Sequence, residues 1–212
     1  MTEIYLVRHC QCKANIHNCI AGVVDYPITE RGQGQLDGLA KRFADVSLDA
    51  VYTSPLSRTR ATAEAIARYN GAPVFEDARF IEFNFGALDG VQMPQQTGLF
   101  KTLWYEQPHL FYAPDGDRME EFGERVWQSL LALAQENQGK RIAVATHGNV
   151  LRAICLRLYG WPPERLIDVP WSGNTAVHLV RFDENQKWEY LLKNDASHVP
   201  DEFAGPLERA KQ

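Results

Sequence analysis

Two histidines each follow an apolar, strand-like run in this sequence. Arg8-His9 comes directly after the run 4–7, and His147-Gly148 comes directly after the run 142–146. An imidazole can attack phosphorus directly, and a second imidazole together with guanidinium groups can hold phosphoryl oxygens. An isolated Arg-His pair more often simply ends a buried strand, so this chemistry needs support from further motifs. The pattern by itself suggests phosphoryl transfer through a phosphohistidine.

Apolar strand-like runs alternate with helical patterns along the chain, which is typical of a parallel sheet flanked by helices. We therefore expect an α/β fold, a three-layer α/β/α sandwich with a mostly parallel central sheet. The sequence predicts helices that begin at Thr29, at Ser54-Pro55, at Met119 and near Asn149, and a hairpin formed by the runs 176–182 and 188–192.

The composition of the 212-residue chain is 45% hydrophobic and 23% charged. These values fit a single domain spanning residues 1–212. The formal net charge of −5 disfavours nucleic acid and anionic membranes as partners, so a phosphate site has to be locally basic. Nothing in the sequence specifies an oligomeric state.

No basic-then-apolar leader follows Met1, and no apolar stretch approaches the roughly 18 residues of a membrane helix. We therefore expect a cytoplasmic protein. Three of the four cysteines, Cys10, Cys12 and Cys19, are crowded near His9. This spacing is unlike the framework of a disulfide-rich secreted domain, so reduced thiols are expected.

Residues 84–117 form the least regular part of the sequence. Glycines and prolines, among them Gly86, Pro94 and Pro114, punctuate a series of aromatic residues there. We interpret this segment as a lid-like insertion over the site.

Four sequence blocks together resemble the histidine phosphatase superfamily, the phosphoglycerate mutase-like proteins. The resemblance covers nearly the whole chain, and each block lies at the end of a strand or the start of a helix, where open α/β sheets bind ligands. The blocks are Arg8 to Asn15, Ser54 to Ala63, Glu82 to Gly86 with Asp89-Gly90, and Thr146-His147-Gly148.

The resemblance implies that His9 is the phosphorylated nucleophile and that Glu82 is the proton donor. It also implies that Arg8, Arg58 and His147 bind the phosphoryl group. Asn15 resembles the family's pocket asparagine, and Gly148 completes the last block at the substrate-binding edge. The implied partner is a small-molecule phosphate monoester, and no cofactor or metal is expected.

These roles impose requirements on protonation. His9 has to attack as a neutral imidazole, with a backbone carbonyl accepting from its other nitrogen. Glu82 has to hold a proton for the leaving alkoxide, so its apolar neighbours, such as Phe80 and Phe83, are expected to raise its pKa. A doubly protonated His147 would add a third cation beside Arg8 and Arg58.

One departure from the family pattern supports a different function. The residue after the nucleophilic histidine is usually glycine, but here it is Cys10, which would be strained if the backbone needs a positive φ. The cysteines also create a cluster with His9 and His17 that could bind zinc or sense oxidants. A non-enzymatic Cys/His metal-binding or redox-sensing module is therefore an alternative, although its spacing matches no established zinc framework.

Within the enzyme interpretation, a phosphatase has to be distinguished from a phosphoglycerate mutase-type phosphotransferase. A mutase must bind a bisphosphate and protect its phosphohistidine from water, which calls for additional cations in the lid. The charged residues from 91 to 117 are Lys101, Glu106, Asp115 and Asp117, so the segment is net negative. This favours a phosphatase acting on a small monoester with an uncharged or partly apolar body.

Overall fold

Six strands form one sheet: β1 (Thr2–Arg8), β2 (Ala50–Thr53), β3 (Val74–Glu76), β4 (Arg141–Thr146), β5 (Val177–Phe182) and β6 (Trp188–Asp195). Their order is β3-β2-β4-β1-β5-β6. The four strands β1, β2, β3 and β4 are parallel to one another, β5 runs antiparallel to β1, and β6 runs antiparallel to β5. This computed structural model describes residues 1–17, 19–92 and 98–206. The mostly parallel sheet and the predicted hairpin are thus confirmed.

The sheet is covered by helices on both faces. The helices are α1 (Lys13–His17), α2 (Glu30–Phe43), α3 (Ser57–Ala67), α4 (Gly98–Lys101), α5 (Met119–Glu136) and α6 (Gly148–Leu158). α2 and α3 pack on one face and α5 and α6 on the other. Because successive strand residues point to opposite faces, Ile4 and Leu6 enter one core while Val7 enters the other. The predicted three-layer α/β/α sandwich is confirmed.

Two predicted helix starts have different outcomes. Thr29 caps α2 as expected, since its side chain accepts the backbone N–H of Gly32 at 3.0 Å. The predicted start at Ser54-Pro55 is wrong by three residues, because α3 begins at Ser57. Ser54 continues the sheet instead, and its N–H donates to the carbonyl of Ala145 at 3.2 Å.

The segment from residue 84 to 117 consists of short helical turns held by aromatic contacts. In the described ranges 84–92 and 98–117 these turns are Gly86–Leu88, α4, Thr102–Glu106 and Pro108–Leu110. The ring of Trp104 lies 5.4 Å from that of Phe85 and 4.9 Å from that of Phe111. Residues 93–97, which include Pro94, lie outside the described residues. No helix in the described part of the chain has the length and apolar character needed to cross a membrane.

Candidate active site

The two histidines meet because β1 and β4 are neighbouring parallel strands. Arg8 is paired in register with Thr146, so the two strands end at the same level. The backbone N–H of His9 then donates to the carbonyl of Thr146 at 2.8 Å. The rings of His9 and His147 consequently lie 5.4 Å apart at the carboxyl edge of the sheet.

The hydrogen bonds of His9 define its tautomer. Its Nδ1 atom lies 2.7 Å from the carbonyl oxygen of Cys10, which can only accept, so Nδ1 carries the proton and Nε2 is left with its lone pair. The ring is buried, and burial, followed by the charges of Arg58 and Arg8, holds its pKa well below the ordinary value of 6.5. His9 is therefore a neutral imidazole with a nucleophilic nitrogen.

Two buried arginines supply positive charge around His9. Arg8, the last residue of β1, donates from one terminal nitrogen to the carbonyl of Ser172. Arg58, which is only 1% exposed, donates to the carbonyl of Gly22 at 2.7 Å and to that of Val24 at 3.0 Å. The Nε atom of Arg58 has no partner among the described residues. Arg58 is thus anchored by its terminal nitrogens and retains one buried donor.

His147 caps α6 and is completely buried. Its Nε2 atom lies 2.7 Å from the hydroxyl of Ser54, and its buried Nδ1 has no partner among the described residues. Burial, with the charges of Arg58 and Arg8 and the proximity of His9, holds its pKa well below 6.5. Without a bound anion the neutral form of His147 is therefore favoured, and a doubly protonated ring beside a phosphoryl group stays a prediction. The neutral ring can still donate one hydrogen bond.

Glu82 is a buried carboxyl group close to the histidines. Its Oε1 atom accepts the N–H of Phe83 at 2.9 Å, and its Oε2 atom accepts the N–H of Asn149 at 3.2 Å. Burial raises its pKa above the ordinary value of 4.5, although the two hydrogen bonds and the charges of Arg58 and Arg8 oppose this. The expected direction of the pKa shift, and its cause, are confirmed.

A cavity of about 170 Å³ opens beside these groups. Its lining combines polar groups, among them Arg8, His9 and Glu82, with aromatic rings. It consists of Arg8, His9, Cys12, Asn15, Cys19, Ile20, Ala21, Glu82, Phe85, Trp104, Gly148, Asn149 and Trp171. Arg58 and His147 are not among the lining residues, but the charge of Arg58 acts on His9 and the ring of His147 lies 5.4 Å from that of His9.

Asn15 and Gly148 both line this cavity. The side-chain oxygen of Asn15 accepts the backbone N–H of Cys12 at 3.0 Å, which leaves the amide nitrogen as the donor available to a ligand. A Cβ atom on Gly148 would lie 2.9 Å from the ring of Trp171. Glycine is therefore required at this helix start, because only glycine lets the Trp171 ring pack here and line the cavity.

Several residues of the site were not predicted from the sequence. Ser54 and Asn149 directly follow or overlap the recognised blocks, so their places at the end of β2 and the start of α6 were usable signals. Trp171 and Ser172 lie in an irregular loop before β5 and belong to no motif. Only the fold brings that loop to the cavity.

The cysteines give no support to a metal centre. Cys10 does not have a positive φ, and its N–H donates to the hydroxyl of Thr62 at 3.1 Å, so its side chain causes no backbone strain. Burial raises its pKa to about 12. Within residues 1–17, 19–92 and 98–206, no three His, Cys, Asp or Glu side chains are grouped so as to hold a metal ion.

The chain was compared with known proteins. It is 29% identical to a probable phosphoglycerate mutase GpmB of Salmonella arizonae over 99% of this chain and 100% of that protein. It is 28% identical to an uncharacterized phosphatase PhoE of Bacillus subtilis over 94% of this chain and 97% of that protein. Its fold matches the structure of Bacillus stearothermophilus YhfR with a TM-score of 0.88 and 26% identity, covering 94% and 100% of the two chains.

A family model provides the broader assignment. The model of the histidine phosphatase superfamily (branch 1) matches residues 4–196, which include all four sequence blocks and both strand-end histidines. The chain therefore belongs to the histidine phosphatase superfamily, branch 1.

Proposed function

We propose that this protein is a metal-independent phosphomonoesterase that hydrolyses a small phosphorylated metabolite through a phosphohistidine on His9. The observation that carries this proposal is the pairing of two groups in one small cavity. Burial and the nearby arginine charges keep His9 neutral, the Cys10 carbonyl fixes its tautomer, and Glu82 has a raised pKa that favours its protonated form. Together they provide a nucleophile and an acid for the leaving group.

In the first step, Nε2 of His9 attacks phosphorus and the bond to the ester oxygen breaks. The proton of Glu82 passes to that oxygen, so the product leaves as a neutral alcohol. The imidazole becomes positively charged while it carries the phosphoryl group. The Cys10 carbonyl stabilises this charge through the Nδ1–H bond.

In the second step, water attacks the phosphohistidine and Glu82 takes the proton of that water. The bond between phosphorus and Nε2 breaks, phosphate leaves, and His9 returns to its neutral form. Glu82 ends the cycle protonated, as it began. The same carboxyl group thus serves as acid and then as base.

The charges that stabilise the phosphoryl oxygens come from the protein. Arg8 lines the cavity, and the Nε of Arg58 and the Nδ1 of His147 are buried donors without a partner among the described residues. Binding of a phosphate dianion would favour the charged form of His147, so the ring would then take up a second proton. We propose that these groups, with the amide of Asn15, take the part that magnesium plays in other phosphoryl-transfer enzymes.

The lid favours hydrolysis over transfer to a second substrate. Lys101 forms an ion pair with Glu106 at 3.4 Å, and both side chains are about half exposed. The lid instead presents Phe85 and Trp104 to the cavity. The leaving group therefore meets an aromatic wall, which suits an uncharged or partly apolar body. Phosphoglycerate mutase activity is the second candidate function, because one relative is named a probable phosphoglycerate mutase.

The proposal is tested by measuring phosphate release from a panel of nucleoside, sugar and hydroxy-acid monophosphates. Rapid quenching with a ³²P-labelled substrate should trap an acid-labile, alkali-stable label on His9. The His9→Ala variant should lose both label and turnover, whereas His17→Ala, which changes an exposed histidine outside the cavity lining, should retain them. Turnover by His9→Ala, or no release from any monoester, would contradict the proposal.

A further inference from the structure

Arg152 is a buried arginine that the proposed mechanism does not use. It lies on α6 with 6% of its surface exposed, and one terminal nitrogen donates to the carbonyl of Leu166 at 2.6 Å. Its Nε has no partner, and no carboxylate lies within ion-pair distance of it in the part of the chain that the structure describes. Burial of an unpaired cation is costly, so its presence calls for an explanation.

The position of Arg152 on α6 connects it to the cavity. Residues three and four apart share a helix face, so Arg152 lies on the same face as Asn149 and Gly148. Gly148 abuts the ring of Trp171, and the N–H of Asn149 binds Glu82. This face of α6 therefore contacts both the Trp171 ring and the carboxyl group of Glu82.

Arg152 directly contacts Trp171, which belongs to the aromatic wall of the cavity. The central carbon of its guanidinium lies 4.5 Å from the centroid of the Trp171 ring. Trp171 also lines the cavity, so this stacked cation supports a ring of the cavity wall.

The charge of Arg152 acts on Glu82 as well. Burial lowers the pKa of Arg152 to about 10, so the side chain stays protonated at neutral pH, and the charge of Glu82 opposes the lowering. Arg58 and Arg8 also act on Glu82, and theirs are the larger charge effects on its pKa. A cation at Arg152 favours the carboxylate form, which limits the rise in the pKa of Glu82 caused by burial.

We propose that Arg152 is a positioning residue of this site: it holds Trp171 as the wall for the leaving group and places an additional buried positive charge on α6, one turn from the Asn149 N–H that donates to Glu82. The inference rests on the proposed function only in its claim that Glu82 transfers protons. A general acid works best when its pKa is near the operating pH, and Arg152 keeps the Glu82 carboxyl able to lose its proton to the leaving group.

The charge effect is tested without an activity measurement. Protein labelled with ¹³C at the glutamate carboxyl carbon is titrated by NMR, and the Glu82 resonance is assigned by its absence in Glu82→Gln. Arg152→Met should raise the titration midpoint of Glu82 by about one pH unit, which corresponds to ~1.4 kcal/mol. Arg152→Lys keeps the charge and should leave the midpoint near that of the unmodified protein.

The matched control is Arg157→Met on the same helix, whose exposed side chain pairs with Glu124 at 2.7 Å. It should not move the Glu82 midpoint. If Arg152→Met does not fold, Arg152→Gln removes the charge while keeping a donor for the Leu166 carbonyl. An unchanged midpoint in the folded charge-removing variant would overturn the charge effect. A shifted midpoint in a protein without phosphatase activity would contradict only the proposed function.

The wall effect is tested with p-nitrophenyl phosphate, because its leaving group needs little help from Glu82. Arg152→Met should raise KM by roughly five-fold with a smaller change in kcat, as expected for loss of a stacked cation, and Arg152→Lys should raise KM to a lesser degree because it loses only the planar stacking of the guanidinium. Arg152→Met should add little to the KM of a Trp171→Leu variant. Additive effects on KM in this double-mutant cycle would overturn the wall effect.

Discussion

The Oε2 atom of Glu82 accepts the backbone N–H of Asn149 at 3.2 Å, which ties the carboxyl group to the first turn of the helix that His147 caps. The acid and the second histidine are therefore positioned by one element. The N–H bond favours the carboxylate, whereas burial favours the neutral acid and is the larger influence on the pKa of Glu82.

Replacing Glu82 with glutamine should separate substrates by leaving group. Glu82→Gln should slow the cleavage of an alkyl phosphate by ~10²–10⁴-fold, because the alkoxide then departs without a proton. The rate at which p-nitrophenyl phosphate phosphorylates His9 should fall much less in this variant, because an aryl leaving group needs little protonation. The measurement is single-turnover phosphorylation by rapid quench.

Equal losses on the alkyl and aryl substrates in that step would show that Glu82 is not the proton donor. Asp89 would not be a ready substitute, because its carboxylate accepts the N–H groups of Gly22 and Val23 at 2.8 and 2.6 Å. Its charge is thus already engaged in holding the loop that also binds Arg58.

The pH dependence of kcat/KM should be bell-shaped. The active form has His9 neutral and Glu82 protonated, so activity should fall below the pKa of His9 and above that of Glu82. Burial lowers the pKa of His9, so the acid limb should lie well below pH 6.5. Burial raises the pKa of Glu82, so the basic limb should lie above pH 4.5. Glu82→Gln should remove the basic limb for an aryl phosphate.

A basic limb that persists unchanged in Glu82→Gln would assign it to another group. Measurements should use constant ionic strength, because salt screens the arginine charges that influence both pKa values.

Removal of metal ions should leave the phosphatase activity unchanged. Arg8 and Arg58 supply the positive charge that the dianion requires, so EDTA should not reduce turnover. The assay compares initial rates before and after dialysis against chelator. Loss of activity that zinc or magnesium restores would revive the Cys/His metal-binding alternative.

Phosphoglycerate should not be isomerised efficiently. The lid cation Lys101 is paired with Glu106, so the cavity has little to hold the second anion of a bisphosphate, and water should reach the phosphohistidine first. The measurement is interconversion of 2- and 3-phosphoglycerate in the presence of the bisphosphate primer. Efficient interconversion would show that the mutase alternative is correct.

The free energy of unfolding should fall as the pH drops from about 6.5 to 4. Burial lowers the pKa of His178 from 6.5 to about 4, so the unfolded chain takes up a proton in this range while the folded protein does not. The effect of His178 amounts to at most about 3 kcal/mol. His178→Gln should show a shallower decline in urea unfolding, and an unchanged slope would contradict this assignment.

The sequence by itself determined the layer architecture and most of the site. Alternating strand residues and amphipathic helices indicate two cores around one sheet, because side chains alternate at period two in strands. Motifs placed after strands predict a shared site, because the carboxyl ends of neighbouring parallel strands meet. His9 and His147 could be selected in this way, whereas Glu82, Arg8 and Arg58 were selected from the resemblance of their motifs to the family.

Only the tertiary structure decided the protonation states and the apolar wall. The Cys10 carbonyl fixes the His9 tautomer through local geometry, and complete burial is the largest cause of the lowered pKa of His147. Trp171 reaches the cavity from a loop that has no motif, and Arg152 stacks behind it. Burial and long-range contacts depend on how distant segments pack, and neither residue spacing nor periodicity along the chain contains that information.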